Sequence, residues 1–252
     1  MGFDLGILHP IDRGEIRRTA VAVFESLQAA ILDGRLRPDT ILSQVEVAKA
    51  LNVSRTPVRE AMRMLQEGGL LVGEPNYRSR VVGFDASDIE ALYIKRVTLE
   101  ALAVSITTKR MTDALCGEIG ATIQVLEGDE GHRDFECWRS HHRRLHQLMV
   151  SQAGSTLIEE LRTLELRSAR YQSASKGAHL PGWWQRGEDE HRRIFAAISE
   201  RNVAQAGELA ARHLARTALE LLAALAPEFD SSRLRDGLHF AIAGCHAVAN
   251  GN

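Results

Sequence analysis

Apolar residues in the first third of the chain recur every three or four positions, which is the period of a helix. They predict a helix over 17–33, whose apolar face is formed by Ala20, Phe24, Leu27 and Ile31. An S-x-x-E capping box opens a short predicted helix over 43–51, and a third helix is predicted over 54–68. Two apolar runs, 70–73 and 80–84, predict a β-hairpin. Three helices followed by a hairpin are the layout of a winged helix-turn-helix.

Beyond Asp85 the pattern is helical throughout. Six helices are predicted, over 87–108, 112–128, 133–152, 155–173, 182–200 and 203–226, and a further short one over 233–249. The predicted fold class is therefore mainly α. A winged helix-turn-helix domain (13–84) precedes an all-α bundle of six or seven helices (86–226) and a C-terminal tail (227–252).

The charge is unevenly distributed between these two predicted domains. The formal net charge of -2 argues by itself against a nucleic-acid binder. Residues 13–84, however, hold eleven Lys and Arg against eight Asp and Glu, a net of +3, while the remainder holds 20 against 25, a net of -5. This asymmetry predicts two domains with different partners, of which the basic one faces DNA.

Cysteine usage and hydropathy restrict the cellular setting. Cys116, Cys137 and Cys245 are far apart in the sequence, so neither a disulfide framework nor a thiolate zinc site is indicated. No apolar run approaches the ~20 residues that span a bilayer. We expect a cytoplasmic protein without a membrane partner.

Three arginines of the third predicted helix share one face. Arg55, Arg59 and Arg63 are spaced by four, while Val58 and Met62 point to the other side. Such a face is either a solvated basic surface or a stripe that meets phosphates and guanine edges. The hydroxyls of Ser54 and Thr56, in the first turn, are suited to a phosphate.

Three segments of this region resemble the GntR family of bacterial transcription regulators. They are A-I-L-D-G-R-L-R-P (30–38), V-S-R-T-P-V-R-E-A (53–61) and L-Q-E-G-G-L (65–70). In that family the two arginines of the second segment make the main base contacts, which implies this role for Arg55 and Arg59. Relatives often carry an arginine at the position of Val45 and a wing-tip glycine at that of Arg78. We therefore expect Arg78 and Arg80 to contact the DNA backbone or minor groove.

Histidines form the second group of candidate site residues. His142 and His146 are four apart on one predicted helix, so their rings project to the same side and can share a metal ion. His191 and His213 lie on the fifth and sixth helices of the bundle. Taken alone, each is more often a hydrogen-bonded or solvent-facing residue than a ligand.

The second half of the chain resembles the FadR-type ligand-binding domain called FCD. The similarity lies in Glu190-His191, Ala197-Ile198, Asn202, Ala206 and His213-Leu214, and in Leu145-His146 followed by Gln152-Ala153-Gly154-Ser155. It implies a metal site formed by His142, His146, His191 and His213, in which His142 replaces the aspartate of the family's metal-binding branch. Either the site binds Zn²⁺ or Ni²⁺, which both accept imidazole, or it has lost the metal.

Arg96 is the candidate for contacting an effector. It lies in Lys95-Arg96-Val97-Thr98-Leu99-Glu100, which resembles the R-x-x-L-E helix of the same domain. Its guanidinium either pairs with a carboxylate effector or forms a helix-surface ion pair with Glu100, four residues further on.

Together these features predict a transcriptional repressor and not an enzyme. We expect a homodimer that binds a palindromic operator in double-stranded DNA and is controlled by a small carboxylate near the metal. One alternative is the same regulator with a metal-free effector pocket. A helical metalloenzyme is the other, but the chain lacks H-E-x-x-H and has only one E-x-x-H, at Glu188–His191, where a di-iron protein needs two.

Overall fold

The secondary structure was obtained from a computed structural model, which describes residues 8, 10, 16–32, 34–76, 78–83, 85–128, 135–174 and 183–251. The elements within these ranges are, in chain order, α1 (Ile16–Leu32), β1 (Ile41–Ser43), α2 (Gln44–Ala50), α3 (Arg55–Glu67), β2 (Leu71–Glu74), β3 (Arg78–Val81), α4 (Ala86–Lys109), α5 (Asp113–Glu127), α6 (Phe135–Met149), α7 (Ser155–Ala174), α8 (Trp183–Ser199), α9 (Val203–Leu225) and α10 (Ser232–Asn250). The mainly α fold class is confirmed. None of the described helices is both long and apolar enough to cross a membrane.

The chain divides into two compact units. The first contains residues 1–88 and 165–177, and the second contains residues 89–164 and 178–252. Helix α7 is therefore shared, since its residues from 165 onward cluster with the first unit.

In the first unit, three helices and a small sheet surround one apolar core. Helix α1 packs on α3 and contributes Val23 and Leu27, which are fully buried. Helix α3 buries one side, including Val58 and Leu65. The strands are antiparallel in the order β1-β3-β2, so β1 extends the predicted hairpin to three strands. Strand β1 was not predicted because three residues are too few for an alternating pattern to stand out.

The hairpin is tighter than the sequence predicts. A six-residue connection over 74–79 is expected, but Glu74 and Arg78 face each other in the ladder and only 75–77 connect the strands. Asn76 has φ +63°, a left-handed conformation that asparagine tolerates and that allows the short reversal. Arg78 therefore begins a strand and does not occupy the wing tip. Phe84, the predicted end of this strand, lies outside the described residues.

The sequence contains a second S-x-x-E capping box, Ser87 to Glu90, and the structure differs from both predicted boxes. Ser43 does precede α2, but its side chain makes no capping hydrogen bond. Helix α4 begins before Ser87, and Asp85 Oδ1 accepts a hydrogen bond from the backbone N–H of Ser87 at 2.7 Å. Glu90 is buried and accepts from the backbone N–H of Leu234, at the start of α10. Asp85, directly before the first residue of α4, caps this helix. Glu90 is therefore available for its tertiary contact with α10.

Seven helices, α4 to α10, follow in the described part of the remaining chain. Helix α5 packs on α6 and α8, α8 packs on α9, and α9 packs on α10. The helix predicted in the C-terminal tail is present as α10, and its main neighbour is α9.

Three helices approach closely at Gly207. A Cβ atom placed there would lie 2.6 Å from Sγ of Cys245 and 3.1 Å from the carbonyl oxygen of Ala101, and closer still to Oγ of Ser105. These atoms belong to α10 and α4, so the missing side chain permits α4, α9 and α10 to meet. Gly244, in contrast, has open space where a Cβ would lie.

Gly207→Ala should destabilise the protein relative to Gly244→Ala. Replacing glycine by alanine raises the helix propensity equally at both positions. The difference in the free energy of unfolding between the two variants therefore measures the steric clash at position 207, which we expect to be about 1–3 kcal/mol. Urea unfolding of the two variants measures it. Equal stabilities would contradict the close approach of the three helices.

Candidate metal centre and nucleic-acid interface

The exposed side of α3 carries the predicted DNA-contacting residues. Arg55, Arg59 and Arg63 are all exposed, opposite the buried side of the helix. Ser54 precedes the first turn, and its hydroxyl makes no capping hydrogen bond. Thr56 is exposed as well. All five side chains are therefore exposed, the three arginines along one face of α3 and the two hydroxyl residues at its N-terminal end.

Two of the basic residues in this unit are bound to carboxylates. Arg63 donates to Glu60 at 2.9 Å and to Glu67, all on the surface of α3. Arg80 donates to Glu74 at 2.8 Å and to Asp39 at 3.1 Å. Surface ion pairs of this kind are worth about 0–1 kcal/mol, so a phosphate can displace them at little cost. Arg78 is exposed at the start of β3.

The four predicted histidines come together in the second unit. Helix α6 supplies His142 and His146, α8 supplies His191 and α9 supplies His213. One nitrogen from each ring can be chosen so that all four lie within 4.8 Å of one another. The ring centroids of His142 and His191 are 5.0 Å apart, and those of His191 and His213 are 4.7 Å apart. We call these four residues the histidine cluster.

Burial keeps most of these rings neutral. Burial, followed by repulsion from the neighbouring histidines, lowers the pKa of His142 and His191 well below the usual 6.5. Burial also lowers the pKa of His213, although its hydrogen bond to Glu190 acts in the opposite direction. A neutral imidazole is the form that binds a metal ion.

Carboxylates stand behind two of the rings. His213 Nδ1 lies 2.7 Å from Glu190 Oε2, and His146 Nδ1 lies 3.8 Å from Glu100 Oε2. Burial alone would raise the pKa of both carboxyls. The neighbouring histidines and arginines, Arg216 for Glu190 and Arg96 for Glu100, hold the pKa of each at about 2.

Arg96 forms a buried ion pair with Glu100. Its Nε donates to Glu100 Oε1 at 2.6 Å, and both side chains are buried. Of the two roles open from the sequence, the structure contains the ion pair, inside the bundle and not on its surface. Because Glu100 also approaches His146, Arg96 lies beside the histidine cluster through its partner.

The histidine cluster fits a divalent metal ion. His146 Nε2 and His191 Nε2 are buried and have no hydrogen-bond partner. An unsatisfied buried polar atom is unfavourable by about 1–3 kcal/mol, and a metal ion would satisfy both lone pairs at once. Zn²⁺ and Ni²⁺ accept several imidazole ligands, and the four rings could supply them.

The surroundings of the cluster include residues that the sequence did not single out. The Trp138 ring stacks on His142, with centroids 4.5 Å apart and an interplanar angle of 19°. Trp138 precedes His142 by four residues on α6, so helical spacing could have revealed it. Arg216 binds both oxygens of Glu190 from another helix, a contact without a sequence signal.

A small cavity adjoins the cluster. It is lined by residues of four helices, among them Glu100, His146 and His213, and has room of about 10 Å³, enough for roughly one water molecule. An organic ligand would therefore require the lining residues to move.

Comparison with known proteins gives matches over both units. Residues 19–81 match the family described as bacterial regulatory proteins, gntR family, and residues 91–216 match the FCD domain. The chain is 28% identical over 188 residues to the HTH-type transcriptional regulator YdhC of Bacillus subtilis, covering 71% of this chain and 80% of YdhC. It is 27% identical to the HTH-type transcriptional repressor RspR of Escherichia coli, covering 71% and 78%.

A solved structure agrees with these matches. A GntR regulator from Rhodococcus sp. RHA1 superimposes with a TM-score of 0.66 at 28% identity, covering 82% of this chain and 99% of that protein.

Metal-free protein should lose stability as the pH falls below 6.5, the usual pKa of histidine. The unfolded chain then binds protons that the rings of His142, His191 and His213 in the folded protein do not, so the free energy of unfolding rises with pH across this window. Glu100 and Glu190, with pKa values of about 2, stay charged in the folded state throughout it.

Urea unfolding with a chelator, at about pH 5 and about pH 8, measures this dependence. His191→Phe should flatten it, whereas His239→Gln, at an exposed position on α10, should leave it unchanged. A pH-independent free energy of unfolding in the wild type would contradict the prediction.

Proposed function

Because this chain belongs to the GntR family of bacterial regulatory proteins and carries an FCD domain, we propose that it is a repressor controlled by a small carboxylate. Like the relatives it matches, the chain is a DNA-binding transcriptional regulator and not an enzyme. The repressor among these relatives supports repression as the direction of control. The carboxylate would bind at a divalent metal ion held by the histidine cluster.

Operator reading is assigned to the N-terminal half of α3. Arg55 and Arg59 are exposed in the N-terminal half of α3, and they would contact base edges if this helix enters the major groove, because a guanidinium can bind guanine O6 and N7 together. The Ser54 and Thr56 hydroxyls would meet a phosphate at the helix N-terminus. The DNA backbone or minor groove is left to Arg63, Arg78 and Arg80.

A homodimer is part of the proposal because one helix reads only a half-site. Two copies related by a two-fold axis would present their α3 helices to successive major grooves on one face of the duplex. The operator would then be a palindrome.

The observation that carries the metal proposal is the pair of buried, unpartnered Nε2 atoms on His146 and His191. They lie in a cluster whose four ring nitrogens are within 4.8 Å of one another. When bound, the ion would supply a Lewis-acidic position for a carboxylate oxygen.

Charge balance favours an anionic effector. Neutral imidazoles add no charge, the adjacent Arg96–Glu100 pair cancels internally, and so does the group of Arg216 and Arg186 with Glu190 and Glu220. A divalent ion would thus keep its +2 charge until an anion joined it. Since the adjoining cavity has room of only about 10 Å³, the carboxylate would shift the population of bundle conformations, and this shift is the proposed signal.

Arg59→Ala should weaken operator binding by about 1–3 kcal/mol, because a base contact is lost. Arg63→Ala is the matched control on the same helix. Its guanidinium is already bound to Glu60 and Glu67, so its loss should weaken binding less, and equally on all sequences. Fluorescence anisotropy on DNA selected by the wild type measures both. Wild-type affinity in Arg59→Ala would exclude the proposed reading residue.

Metal and carboxylate binding are tested together by thermal unfolding of untagged protein, stripped with a chelator. Zn²⁺ alone should raise the midpoint, since a ligand at 100 times its Kd adds about 2.7 kcal/mol. Succinate should raise it further only when Zn²⁺ is present. Both shifts should disappear in His191→Ala and persist in His239→Ala.

Two outcomes would count against this mechanism. A succinate shift without metal would support the regulator with a metal-free pocket. A zinc shift that survives His191→Ala would place the ion outside the histidine cluster.

A further inference from the structure

Both carboxylate oxygens of Glu190 are bound by one arginine, Arg216. Arg216 Nε donates to Glu190 Oε1 at 2.6 Å, and Arg216 Nη2 donates to Glu190 Oε2 at 2.6 Å. A second carboxylate, Glu220, accepts from Arg216 Nη1 at 2.7 Å. This fork-to-carboxylate geometry leaves Glu190 little freedom to rotate.

The hydrogen bond from His213 then has only one possible direction. A carboxylate bound by a guanidinium on both oxygens is ionised and can only accept, so the proton between Glu190 Oε2 and His213 Nδ1 must be carried by the imidazole. A neutral imidazole has one N–H, which leaves Nε2 of His213 with a free lone pair. The tautomer of His213 is thereby chosen before any metal arrives.

His146 repeats this arrangement less tightly. Glu100 is bound by Arg96 at 2.6 Å, and its other oxygen lies 3.8 Å from His146 Nδ1, which is longer than a hydrogen bond. The buried Nε2 of His146 has no partner, as expected for a ring turned toward the cluster. Among the described residues, no ion pair reaches His142 or His191.

We propose that Glu190, clamped by Arg216, is a positioning residue that fixes His213 in the metal-binding tautomer and thereby sets the metal affinity of the histidine cluster. Glu100, held by Arg96, lies on the Nδ1 side of His146, but at 3.8 Å it does not fix the tautomer of that ring. The inference rests on the proposed metal site. Carboxylates behind metal-bound histidines orient the ring and increase its basicity.

The chain contains a matched control for Glu190. Glu208 on α9 is also bound by an arginine, Arg212, at 2.8 Å, and also approaches a histidine, His246, at 3.4 Å. The side chains of Glu190 and Glu208 are similarly exposed, at 25% and 26%, although His246 is far more exposed than His213. His246 is not part of the histidine cluster.

The test compares Glu190→Gln with Glu208→Gln in the full-length protein. Zn²⁺ affinity is measured by competition with a chelating dye, and the tautomer of His213 by ring ¹⁵N chemical shifts in metal-free protein. Glu190→Gln should bind Zn²⁺ about 10–100 times more weakly and lose the pure Nδ1–H form of His213, because its amide can also donate to Nδ1. Glu208→Gln should change neither.

The outcomes separate this inference from the metal site itself. A wild type that binds no Zn²⁺ removes the metal site and this inference together. A wild type that binds Zn²⁺ with the affinity of Glu190→Gln overturns the inference alone. The inference is also overturned if His213 in the metal-free wild type carries its proton on Nε2. This measurement requires no variant, so it is decisive even if Glu190→Gln fails to fold.

Discussion

Burial of the histidine cluster inside one helical bundle disfavours the charged form of His142, His191 and His213. Protonation of one ring would place a charge in a poorly solvated site, and protonation of two would add repulsion between neighbours whose centroids are about 5 Å apart. Neutral rings in turn leave lone pairs without partners, as on His146 and His191. The same burial that disfavours a charge thus leaves unpartnered nitrogens that a cation would satisfy, and the hydrogen bond to Glu190 is the contact that we propose to select the free nitrogen of His213.

The sequence predicted much of this architecture. All helices of the bundle were predicted because each is long enough for its apolar period and its end signals to agree, and the pairing of His142 with His146 followed from their spacing. The predictions were wrong at short range, where β1 adds a strand and Asp85 caps α4 in place of Ser87. Three residues or a single side chain decide such details, and many arrangements satisfy the same pattern.

The partners of the site residues could not be predicted in the same way. Glu190 binds His213 and Arg216 across two helices, and the distance along the chain contains no information about that contact. An ion pair of Arg96 with Glu100 was one of the two roles left open by the sequence, and it was expected on the helix surface, not inside the bundle. On α3 the spacing of Arg55, Arg59 and Arg63 makes the three arginines equivalent in the sequence, and the ion pairs of Arg63 with Glu60 and Glu67 are visible only in the structure.

The stacking of Trp138 on His142 has a practical consequence for studies in solution. An indole in face contact with an imidazole senses the electronic state of that ring, because a nearby cation or proton quenches its fluorescence. Trp138 is buried, and the chain has only three tryptophans. The histidine cluster therefore has an optical reporter beside it, stacked on His142, the candidate ligand that stands where the FCD metal-binding branch has an aspartate.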